Sequence, residues 1–106
     1  MARYLLQVAY TQSGVQGVLK EGGTSRRDTI AKIVADSGGT MESFDFAFGT
    51  DDVVVILDMP DHASVAALSM AVGASGAARA NTTPLITAEE IDKAAGISVS
   101  YRAPGT

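Results

Sequence analysis

The sequence predicts an α+β domain, a four-stranded antiparallel sheet with two helices packed on one face. Three observations lead there. Strand-patterned and helix-patterned stretches follow one another in the order β-α-β-β-α-β. The first and third strand stretches, RYLLQVAYT and DVVVILDM, are apolar on both faces, as strands inside a sheet are. The second is apolar mainly on one face and the fourth carries a proline, so both belong at the flanks.

The elements follow in chain order. Arg3 to Thr11 is the first central strand. In SGVQGVLKEGG, Val15, Val18 and Leu19 have helical spacing, but Gly14 and Gly17 weaken it, so a short helical turn is expected there, ended by Gly22-Gly23. TSRRDTIAKIVADSGG reads as a longer helix, with Ser25 and Asp28 at capping-box spacing, a stripe of Ile30, Ile33 and Val34, and a Gly38-Gly39 stop. TMESFDFAF then alternates, with Phe44, Phe46 and Phe48 on one face. Gly49-Thr50 suits a tight hairpin into the strand Asp52 to Met59. Asp61 is placed to cap a helix striped by Val65, Leu68 and Val72. Ala78 to Thr87 is the fourth strand. Thr87 and Glu90 form a capping box for a last helix that stops at Gly96. ISVSY alternates and reads as a fifth short strand, followed by a tail.

Right-handed crossovers turn this order into the ferredoxin-like βαββαβ sandwich, with both helices on one face of the sheet. The other face is then uncovered, although the central strands are apolar on it too. A face of that kind calls for a partner, and a second copy of the chain is the economical one.

Composition narrows the function. The 106 residues make one domain, with a core of about 2–95 and an extension of 96–106. There is no Cys, which excludes disulfides, thiolate metal sites and thiol catalysis. A net charge of −4 argues against nucleic acid as a partner. No apolar run is long enough to span a membrane, and the N-terminus lacks a signal-peptide pattern, so a cytoplasmic protein is expected.

Several residues could carry chemistry. Asp51 and Asp52 could act as base or ligand at the mouth of a cleft, or could simply stabilise a turn. His62 is the single imidazole and could move a proton near neutral pH, or could be an ordinary neighbour of a helix cap. Arg26 and Arg27 open a helix, where cations are slightly unfavourable, so an anion could sit between them and the helix end. A solvated face or a salt bridge to Asp28 or Glu21 is the plain alternative. Tyr10, Asp45, Arg79 and Asn81 are polar groups on strands and need hydrogen bonds from a ligand or a second subunit. One His among scattered carboxylates gives no metal signal, and no cofactor motif is present, so neither metal nor cofactor is expected.

The stretches YTQSGVQGVLKEGGTSRRDTI, SGGTMESFDFAFGTDDVVVILDMPD and ANTTPLITAEE together resemble the GYD domain family. The resemblance covers roughly residues 2–95 and implies the dimeric α+β barrel version of the fold, in small bacterial proteins largely without an established activity. Of the Gly-Tyr-Asp turn that names the family, Gly49 and Asp51 are present, and Thr50 stands where Tyr is expected. Arg27 falls at the family's Arg position, which favours it over Arg26, and Asn81 falls on the family's polar fourth strand.

Two functions are expected from these readings. One is a homodimer, or a higher oligomer, that binds a small organic molecule or anion between sheet and helices. Arg27, Tyr10 and Asn81 would bind, and His62 or Asp51 would serve cofactor-free proton transfer or isomerisation. The alternative is a non-enzymatic assembly or regulatory module.

Overall fold

The computed structural model describes residues 1–106. The elements run β1 (Ala2–Tyr10), α1 (Gln12–Glu21), α2 (Gly23–Asp36), β2 (Thr40–Phe46), β3 (Val53–Met59), α3 (His62–Ala74), β4 (Ala78–Pro84) and α4 (Ala88–Ala95). The sheet has the order β2-β3-β1-β4, and every neighbouring pair is antiparallel. The two strands apolar on both faces are therefore the central ones, and the ferredoxin-like α+β arrangement holds.

The pleat separates two faces. Along β3, Val53, Val55, Leu57 and Met59 are buried, and the residues between them are only half-buried. Tyr4 and Leu6 of β1 share that buried face and pack with Val34 of α2 and with Val65 and Leu68 of α3. The register places Leu5, Ala9, Val54 and Ile56 on the opposite face, which no helix covers. Arg3 joins that face and pairs with Glu42 at 2.8 Å.

Two helix starts differ from the sequence reading. α1 is a full helix of 10 residues rather than a short turn. The Thr11 side chain caps it, and Gly14, far from weakening it, is its buried contact. A Cβ at Gly14 would lie 2.0 Å from the Ala77 carbonyl oxygen, so only glycine lets the helix come this close. The helix rests on Gly14 and the half-buried Val18, leaving Val15 and Leu19 exposed. α2 begins two residues before Ser25, and no side chain caps it. The break between α1 and α2 comes from Gly22, whose φ of 89° is open to glycine at little cost, so no Ser25 cap is needed.

Two strand expectations also change. Gly49-Thr50 is not a two-residue hairpin. The last β2–β3 pair is Phe46 with Val53, and the loop is closed by Ala47 N–H donating to the Asp52 carbonyl at 2.9 Å. Gly49 is not in the positive-φ region that such a hairpin needs there, and Phe48 stands outside the strand in solvent. ISVSY forms no strand, because no ladder partner lies beside it.

The caps at Asp61 and Thr87 are as the sequence reading expects: each accepts from the backbone N–H three residues on, and each completes a capping box. β4 ends at Pro84, and one further bond, Leu85 N–H to the Arg3 carbonyl at 2.9 Å, holds the chain to the sheet. Beyond it the chain leaves the core. α4 buries no residue, and Ile86, Ile91, Ile97, Val99 and Tyr101 are all more than half exposed. The radius of gyration is 17.0 Å, against about 13 Å for a compact chain of this length.

Candidate functional site

Helical phase decides which arginine faces the core. Arg26, Ile30 and Val34 are spaced by four and share the face of α2 that meets the sheet. Val34 is fully buried, Ile30 packs against the core, and Arg26 is half-buried above it. Arg27 points elsewhere. Its Nε donates to Asp28 at 3.1 Å in an exposed pair, and it borders a shallow groove beside Phe44 and Phe46.

Arg26 closes one end of a cavity of about 40 Å³ between sheet and helices. Every other lining residue is apolar or aromatic, among them Leu6, Val8, Phe44, Val55 and Leu68. Tyr10 lines this cavity with Arg26, and the same two residues line an outer groove of about 140 Å³ against α1, where Ser13 and Glu21 also stand. They form the boundary between an apolar interior and a polar exterior. Burial pushes the Tyr10 hydroxyl above its ordinary value, and the Arg26 charge and hydrogen bond pull the other way. Asp52 and Glu21 add to the upward shift. No carboxylate lies within 4.0 Å of the Arg26 guanidinium, since the ion pairs of the chain involve Arg3, Arg27 and Lys32.

A second site lies at the other end of β1. Tyr4 and Tyr10 are six residues apart on one strand, roughly 20 Å. The Tyr4 hydroxyl bonds His62 Nδ1 at 2.5 Å, and the two rings meet edge to face with centroids 5.7 Å apart. His62, Val65 and Ser69 follow one face of α3 towards β4, and Ser69 Oγ meets Thr82 Oγ1 at 2.5 Å. These groups line a groove of about 440 Å³ that Asn81 also borders.

The residues singled out in the sequence are thus divided. Tyr10 is at the apolar cavity, and His62 and Asn81 are at the α3–β4 groove. Arg27 and Asp51 line neither. Asp51 belongs to the loop after β2 with Gly49 and Thr50, and both of those residues face solvent. Its neighbour Asp52 does the structural task, accepting from the Tyr10 backbone N–H at 2.8 Å. No group of three or more His, Asp or Glu side chains stands together as a metal-binding cluster. No helix is long and apolar enough to cross a membrane.

Sequence reasoning missed Tyr4. Its signal was present, because it shares parity with Leu6 on a central strand, and a buried phenol needs a hydrogen-bond partner. The family pattern favours Arg27 over Arg26, whereas the spacing of Arg26 to Ile30 and Val34 sets Arg26 on the face of α2 that meets the sheet.

The family model of the GYD domain matches residues 4–95. No curated protein matches the chain, and no solved structure does.

Proposed function

We propose that this chain, which belongs to the GYD domain family, binds a short-chain organic anion, its apolar tail in the cavity between sheet and helices and its carboxylate on Arg26. The observation that carries this reading is the half-buried Arg26 with no carboxylate partner at the mouth of an apolar cavity. A guanidinium drawn partly out of water is costly unless an anion meets it, and arginine is suited to hold a carboxylate with two parallel bonds. The tail is short. A water needs roughly 10–15 Å³ on this measure, so about 40 Å³ admits some three heavy atoms. The Tyr10 hydroxyl is protonated at neutral pH, as any phenol is, and burial moves it further from ionising, so it supplies a donor beside Arg26. The lining holds neither imidazole nor carboxylate, which favours binding over proton transfer.

Calorimetric titration with butyrate tests this. Wild-type protein and Arg27→Gln are expected to bind alike, and Arg26→Gln to lose at least about tenfold in affinity. Equal affinity in Arg26→Gln removes the cavity from the function.

The functional unit in this reading is a homodimer joined through the open sheet face. Leu5, Val54 and Ile56 supply its apolar centre. A second reading, a module whose role is assembly, is favoured by the C-terminal segment. An eight-residue helix that buries nothing is too short to be stable alone in water. Crossing to another subunit would cover Ile91, Ile97 and Tyr101. Deletion of residues 97–106 then weakens assembly, and an unchanged mass in native mass spectrometry contradicts the crossing.

A further inference from the structure

We propose that the groove between α3 and β4 is a second binding site, separate from the Arg26 cavity. It takes a small molecule that presents a carboxylate or carbonyl oxygen to His62 Nε2–H and lays an apolar body along the groove.

The argument begins with a buried proton. Tyr4 is 1% exposed, and its hydroxyl meets His62 Nδ1. A phenol holds its proton at neutral pH, and inside a protein that proton needs an acceptor. Nδ1 is that acceptor, so its lone pair is occupied. A neutral imidazole has one N–H and one bare nitrogen. With Nδ1 bare, the neutral ring carries its proton on Nε2, and His62 is among the residues that line the groove. In the neutral ring Tyr4 thereby selects the tautomer that offers a donor at Nε2. This departs from the proton-transfer role expected for His62 from the sequence, since a base would need its bare nitrogen facing the substrate.

The rest of the groove fits the same ligand. Ser69 and Thr82 share one hydrogen bond, which uses one hydroxyl proton and leaves the other free to donate. Val65, Ala66, Met70 and Pro84 make an apolar wall. No carboxylate, Lys or Arg lines the groove, and the Asn81 amide adds a group that can donate as well as accept. A volume of about 440 Å³ accommodates a ring or branched chain that the Arg26 cavity is too small to admit.

Benzoate is a suitable probe, and the single histidine makes the readout unambiguous. The titration is run in Arg26→Gln protein, so that the cavity of the preceding proposal contributes nothing. Nitrogen-15 NMR of the free protein is expected to show Nδ1 unprotonated and Nε2 protonated at neutral pH. Added benzoate should shift the Nε2–H resonance saturably. His62→Phe, which has no imidazole to observe, should show no saturable benzoate binding when followed by calorimetry. Thr82→Val, nearly isosteric and so a control for folding, should weaken binding by about fivefold. The opposite tautomer overturns the proposal. So does a shift that rises linearly without saturating, or saturable binding that is unchanged in both variants.

Discussion

Asp52 Oδ2 accepts a hydrogen bond from the backbone N–H of Tyr10 at 2.8 Å. The Asp52 backbone N–H in turn donates to the Val8 carbonyl at 2.8 Å. One residue at the end of the β2–β3 loop thus clamps that loop to the end of β1, at the residue that borders the apolar cavity. Of the two adjacent aspartates, the second has the structural role. Asp52→Ala leaves a partly buried N–H without its acceptor and is expected to lower stability by about 1–3 kcal/mol. Asp51→Ala should stay within about 0.5 kcal/mol of wild type. Urea unfolding of the two variants checks both values, and equal losses would contradict the clamp.

The sheet order was legible because it follows from local composition: strands apolar on both faces go to the centre. The caps at Asp61 and Thr87 were legible for a similar reason, since a cap and its N–H partner lie three residues apart. The Tyr4–His62 pair joins residues 58 positions apart and depends on how α3 is set against β1, which no local pattern encodes. The β2–β3 loop was misread because Gly-Thr resembles a two-residue turn, yet the Ala47–Asp52 hydrogen bond closes a longer one. ISVSY alternates like a strand, but alternation gives no strand without a free edge beside it.

The cap of α3 carries a pH signature. The Ser64 backbone N–H, then its side chain, hold the Asp61 carboxyl below the ordinary aspartate range. A folded-state pKa below the unfolded one adds stability that is complete above the unfolded value. That stability is lost as pH falls through the folded value. Asp61→Asn keeps a capping oxygen but cannot titrate there. The advantage of wild type over Asp61→Asn is therefore expected above about pH 4 and should vanish in stronger acid. Urea midpoints measured from neutral pH downward test this, and parallel curves for the two proteins would exclude the linkage.

Two glycines of α1 should respond in opposite ways. A Cβ at Gly14 meets the Ala77 carbonyl oxygen at 2.0 Å, and that oxygen already accepts from the Thr11 N–H at 2.9 Å. Gly14→Ala must lift the start of α1 off the turn before β4, at about 1–3 kcal/mol. Nothing lies within 4 Å of a Cβ at Gly17. There alanine only restricts the unfolded chain and should add roughly 0.5–1 kcal/mol. Thermal unfolding of the pair separates close approach from helix propensity, and a loss in both would mean that α1 tolerates no added methyl.

The proposed sheet-to-sheet dimer rests on residues that the core does not use. Ile56 pairs with Leu5 across the two central strands, on the face without helices. The adjacent residues Val55 and Leu57 point into the core, so a change at Ile56 leaves core packing intact. Ile56→Lys should abolish association, because a charge at the centre of an apolar interface loses its water without gaining a partner. Stability of the isolated domain should change little, since the lysine faces solvent in a monomer. Sedimentation of wild type and Ile56→Lys over a range of concentrations distinguishes the cases. A monomeric, folded variant supports pairing through this face, and an unchanged dimer would move the interface to another surface, the C-terminal segment first.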